Sequence, residues 1–108
     1  ASTMPDTPRH GHAPIPLRLV ADDDALAQAG DFCWEQGPDS VPTHIWLGIP
    51  SPVKSGWTPI RLAVKRGPNE RGKHWGWDGN PGTPTLTPSV HTLGHWHGWV
   101  RNGQLVEA

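Results

Sequence analysis

The residues of this chain best suited to chemistry lie in its C-terminal third. Ser89 and His97 supply a hydroxyl and an imidazole eight positions apart. These are the two groups of a nucleophile–base pair, and Asp78 is a candidate carboxylate to orient the base. On neighbouring strands such a pair can touch, although a Ser that follows Pro is more often a turn or strand-edge residue. His95 and His97, at i and i+2, share a face of an extended strand, and His91 lies one short turn earlier. His91, His95 and His97 are therefore a candidate metal site of the kind zinc accepts, with no carboxylate ligand near them. No resident cofactor is expected. Trp75, Trp77, Trp96 and Trp99 interleave with these groups. With His95 they make a candidate binding surface, while the competing use of so many indoles is a core.

The elements that must position these groups read as short strands. Thr43 to Ile49 alternates Ile45, Leu47 and Ile49 with His44, Trp46 and Gly48, the period of a half-buried strand, and Pro50 and Pro52 stop it. Ile60 to Lys65 repeats the pattern with Ile60, Leu62 and Val64 inward, so the two are expected to pair. Phe32 to Glu35 is a shorter strand, and Ile15 to Val20 is a candidate edge strand because of Pro16. Asp22-Asp23-Asp24 followed by Ala25, Leu26, Ala27 and Ala29, then Gly30, predicts a helix of about two turns. Thr85 to His91 can extend, with Pro88 favouring an edge or bulge. Asn102-Gly103 between residues 95–101 and 104–107 predicts a hairpin, because both residues tolerate positive φ.

At 108 residues, with 34% hydrophobic residues, 13 Gly and 13 Pro, the chain has room for one core and many loops. Seven Trp with one Phe and no Tyr argue against disorder, and four or five of the Trp are expected in the core. The expected fold is mainly β: a small antiparallel β-sandwich or rolled sheet over residues 15–108, with an extended Pro-rich N-terminal arm over 1–14 and at most one short helix. A formal charge of −1 draws the chain to neither nucleic acid nor an anionic membrane. The local basic group Lys65, Arg66, Arg71, Lys73 reads as a solvated hairpin tip. Cys33 is the single cysteine, which excludes an intrachain disulfide and a Cys-based zinc site and suits a reducing compartment. No apolar run reaches membrane-span length and no secretion signal opens the sequence.

Three ordered motifs, Trp75-Gly76-Trp77-Asp78-Gly79, Pro84-Thr85-Leu86-Thr87-Pro88-Ser89 and His97-Gly98-Trp99-Val100-Arg101-Asn102-Gly103, resemble a family of small proteins common in tailed bacteriophages and prophages. That family has relatives in bacterial ubiquitin-like conjugation operons. Some relatives resemble serine peptidases that process ubiquitin-like proteins, and the resemblance places the nucleophile at Ser89 and the base at His97. Members often carry Cys before that His and a further Cys/His segment after the final hairpin, where this chain has Trp96 and ends at Ala108. The reading favoured by the sequence is a phage-derived, non-enzymatic structural or binding module: a virion decoration, head or tail accessory protein. It would dock on other protein subunits, such as capsid or tail proteins in an oligomer or larger assembly, through its arm and exposed aromatics. Its place would be the virion or the bacterial cytoplasm. The alternative is a small Ser/His hydrolase using Ser89 and His97, and a weaker one is a His-based metal-binding protein.

Overall fold

The computed structural model describes residues 13–70 and 72–108, so the arm expected over 1–14 lies, except for Ala13 and Pro14, outside the described residues. The fold is mainly β, in two sheets. The longest strands are β4 (Pro42–Pro50) and β5 (Trp57–Arg66), which pair antiparallel with Ile45 opposite Leu62 and Leu47 opposite Ile60. Their alternation buries Ile45, Leu47, Ile49, Leu62 and Val64. Pro59 lies where β6 does not reach β5, so its missing N–H can face the open side and cost no ladder bond. With β2 (Arg18–Leu19), β3 (Asp31–Gln36), β6 (Trp75–Trp77) and β7 (Leu86–Thr87) they form a six-stranded sheet ordered β2-β3-β4-β5-β6-β7. The second sheet is ordered β1-β10-β9-β8, from β1 (Ile15–Pro16), β8 (Val90–Thr92), β9 (Trp96–Arg101) and β10 (Gln104–Glu107).

The chain passes between the sheets at both of their edges. Leu17 separates β1 from β2, and Pro88-Ser89 separates β7 from β8, so the sheets are joined into a roll. At the first crossing Leu17 N–H donates to Gly103 O at 2.9 Å and Arg18 N–H to Gly30 O at 2.9 Å. The core lies inside the roll, with Phe32, Leu86 and Trp77 from the larger sheet meeting Val90, Trp96, Val100 and Leu105 from the smaller one. Fully burying such a side chain contributes roughly 1.5–3 kcal/mol. That scale lets so small a set offset the entropy of a loop-rich chain.

The expected strand over 15–20 is thus two short strands in different sheets, because Leu17 turns the corner. The expected two-turn helix is a single 3₁₀ turn over Asp23–Ala25, capped by Asp22. It stops because Ala27 N–H donates to the buried Asp31 carboxylate at 2.9 Å instead of to a helical carbonyl. Arg18 grips the same carboxylate at 2.9 and 2.8 Å, and this pairing holds Asp31 below the ordinary carboxylate range.

The antiparallel expectation also needs amending, since β2–β3 and β5–β6 run parallel. The chain leaving β5 makes the second pair possible, because Gly67, Pro68 and Asn69 lie directly on Gly76. A Cβ there would collide with Gly67 O, Asn69 N and Pro68 C. The glycine of Trp75-Gly76-Trp77 is therefore a point of close backbone approach. The Asn102-Gly103 hairpin forms as expected: both residues have positive φ, 50° and 75°, and Arg101 pairs with Gln104.

On the outer face of the larger sheet, Glu35 accepts from Arg61 Nε and Nη2 at 2.9 and 2.6 Å and from Trp46 Nε1 at 3.1 Å. Hydrogen bonds from Arg61, then Trp46, lower its pKa from 4.5 to about 2. A carboxylate with a depressed folded-state pKa stabilises the fold above its unfolded value, and this contribution is lost as the pH falls from about 4.5 through about 2. Arg61→Met should flatten that part of the stability-versus-pH curve, measured by urea unfolding at several pH values. A Cβ on Gly98 would overlap Trp96 Cζ2 and Cη2 and crowd Val106 O. Gly98→Ala should therefore destabilise by ~1–3 kcal/mol, visible in thermal unfolding as a fall of roughly 4–8 °C per kcal/mol.

Candidate active site

Ser89 occupies the second crossing, just before β8, and the Thr87–Pro88 bond ahead of it is cis. Val90 is buried, so the alternation of β8 turns Ser89 and His91 outward. In β9 the same alternation buries Trp96, Gly98 and Val100 and turns His97, Trp99 and Arg101 outward. The β8–β9 register sets Val90 opposite Gly98 and His91 opposite His97. Ser89 Oγ stands 3.2 Å from His97 Nε2, and the His91 and His97 rings stack with centroids 4.6 Å apart and planes 30° apart. Where Nε2 is unprotonated, the Ser89 hydroxyl donates to it. This is the contact a general base needs to take a nucleophile's proton.

Asp78 is not brought to this pair. Its Oδ1 accepts from Asn80 N–H at 3.0 Å and Thr85 N–H at 3.3 Å, closing the β6–β7 connection, and among the described residues it forms no ion pair with His97. The Asp-Gly-Asn turn chemistry claims the carboxylate locally. The neighbour that faces the His97 ring is His91.

The three-imidazole metal site is not assembled either. Among the described residues no group of three His, Cys, Asp or Glu is arranged to hold a metal ion. His95 precedes β9 in a turn, where His95 N–H donates to Thr92 O, and its Nδ1 lies 2.6 Å from Ser51 Oγ. The i, i+2 argument fails because only one of the two residues belongs to the strand. Ser51 lies 44 residues upstream of its partner, outside the motifs of the C-terminal third. Its only mark in the sequence is a place between two prolines, which signals a turn and nothing more.

The proposed aromatic surface divides. Trp77 and Trp96 are each 7% exposed and belong to the core, so they offer no face to a partner. Trp75 is partly buried and packs on the same core, as does Trp34, whose ring meets that of Trp77 at 4.6 Å. Trp99 is half-buried with the Arg101 guanidinium 4.9 Å above its ring, and His95 is exposed. Four indoles thus serve the interior, as the shortage of Phe and Tyr implies.

Residues 58–108 match a family model described as bacterial ubiquitination-like system serine protease (BubE). No curated protein and no solved structure matches the chain. The matched segment runs from within β5 through β10 and contains Ser89, His91, His95 and His97. A protease family overturns the expectation of a phage virion structural or decoration protein. The similarity favours the Ser/His hydrolase alternative.

Trp75 Nε1 is buried without a hydrogen-bond partner, whereas Trp77 Nε1 donates to Asn80 O at 3.0 Å. Trp75→Phe removes an unsatisfied donor, while Trp77→Phe leaves a carbonyl unpaired and opens a gap in the core. The first should change stability little, and the second should cost about 1–3 kcal/mol in chemical unfolding.

Proposed function

We propose that this chain is a serine hydrolase in which Ser89 is the nucleophile and His97 the general base, acting on the acyl bond that ends a ubiquitin-like protein. The observation that carries this reading is the 3.2 Å contact between Ser89 Oγ and His97 Nε2, inside a segment similar to a serine protease family of a bacterial ubiquitination-like system. In the first step Oγ bonds to the substrate carbonyl carbon while its proton passes to Nε2. The carbon–nitrogen bond then breaks, and Nε2 returns the proton to the departing amine. Water repeats the exchange on the acyl-enzyme, with His97 again taking and giving the proton. His91 holds the His97 ring by stacking along β8 and β9, a positioning role that a strand pair can fill where no carboxylate reaches the imidazole.

The outward placement of the pair suits a large substrate, since a protein tail can approach a sheet surface that offers no enclosed chamber. Ser89→Ala and His97→Ala should each abolish release of the leaving group from a ubiquitin-like protein with a C-terminal extension. The expected loss is on the order of 10³-fold or more, because the two groups act as a unit. His97 is exposed, so its removal should move the melting temperature little. Turnover that persists in both variants would sink the assignment.

A further inference from the structure

A cleft of about 530 Å³ lies beside the dyad, between the turn after β4 and the outer ends of β9 and β10. Pro50, Ser51, His95, Trp96, His97 and Glu107 line it, so it shares His97 with the hydrolytic pair. Its volume falls within the range of roughly 300–1,000 Å³ typical of ligand sites.

Ser51 Oγ accepts from Val53 N–H at 3.3 Å and lies 2.6 Å from His95 Nδ1. Where the Ser51 hydroxyl donates its own proton to Nδ1, the His95 proton sits on Nε2. The geometry is opposite to that at Ser89, which meets its imidazole through Nε2. An imidazole held through Nδ1 is fixed in orientation by its partner and keeps Nε2 for another group. Ser51 is thus a positioning residue, and in this tautomer His95 is an exposed N–H donor on the wall of a cleft that His97 also lines.

We propose that this cleft receives the extended peptide segment of the substrate next to the bond being cut, with His95 Nε2–H donating to a main-chain carbonyl of that segment. The inference rests on the hydrolytic reading of Ser89 and His97. An extended chain advances about 3.3 Å per residue, so the cleft takes a few residues of a tail. A polar donor beside the apolar surface of Pro50 and Pro52 recognises backbone rather than a particular side chain.

The test uses the full chain with Ser89→Ala, so that binding is measured without turnover. The probe is a fluorescently labelled bacterial ubiquitin-like protein, intact or with its last six residues removed. Fluorescence anisotropy should show the truncated probe binding at least ~10-fold more weakly. Adding His95→Ala should weaken the intact probe by a similar factor and leave the truncated one unchanged. His95→Gln, which keeps an N–H donor, should recover most of the affinity, and Ser51→Ala should give an intermediate loss. In the active protein, His95→Ala should raise KM for a C-terminal fusion more than it lowers kcat. Tail binding indifferent to His95, in a protein whose turnover still requires Ser89, would overturn the cleft alone. His95-dependent tail binding in a parent protein that turns nothing over would overturn the dyad and leave the cleft standing.

Discussion

At Pro88-Ser89 the backbone leaves the edge of one sheet and becomes the edge of the other, and the meeting of Ser89 with His97 follows from that bend. Leu86 must face the core on one side of the corner and Val90 on the other, each about 1% exposed. The residues between them are therefore delivered to the outside of the roll. Ser89 is the last of these before β8 begins, and the β8–β9 register then determines which imidazole it meets. A slip of one residue in that register would bury His97 and expose Gly98, so the buried pair Trp96 and Val100 fixes the site as firmly as it fixes the core.

The three sequence motifs are, in the folded chain, one contact network. Trp77 pairs with Leu86 across β6 and β7. Asn102 N–H donates to Thr85 Oγ1 at 2.9 Å, and Gly103 N–H to Pro84 O at 3.0 Å. Gly103 also accepts from Leu17, so the terminal hairpin turn ties the first crossing to the segment leading into the second. A Cβ at Gly103 would press on Thr83, which is why this position needs glycine for closeness as well as for its positive φ. The motifs therefore carry structural meaning along most of their length, and the chemistry proposed for them falls on Ser89, His97 and the imidazoles around them.

What could be read from the sequence divides along physical lines. Period-two alternation located β4 and β5 and their inward residues, and turn chemistry located the Asn102-Gly103 hairpin, because both signals are local. The arithmetic of aromatics correctly sent most indoles to the interior. It could not say which ones, since Trp75, Trp77, Trp96 and Trp99 all sit in strands and differ only in phase. The helix over 22–29 failed because a distant carboxylate, Asp31, claims Ala27 N–H. The parallel pairing of β5 and β6 was hidden because it depends on a loop folding back onto Gly76. Ser89 and His97 were legible as types and spacing, whereas Ser51 and its partner His95, 44 residues apart, are joined only by tertiary structure.

The two Ser–His contacts on this small surface are best understood by which ring nitrogen each uses. His97 keeps Nε2 on Ser89 and is steadied through its flat face by His91, so the proton-transfer edge points at the hydroxyl. His95 spends Nδ1 on Ser51 and lines the cleft. One imidazole is aimed by a strand pair and the other by a turn, and both line the cleft; in the proposed reading the first moves a proton and the second holds a chain in place.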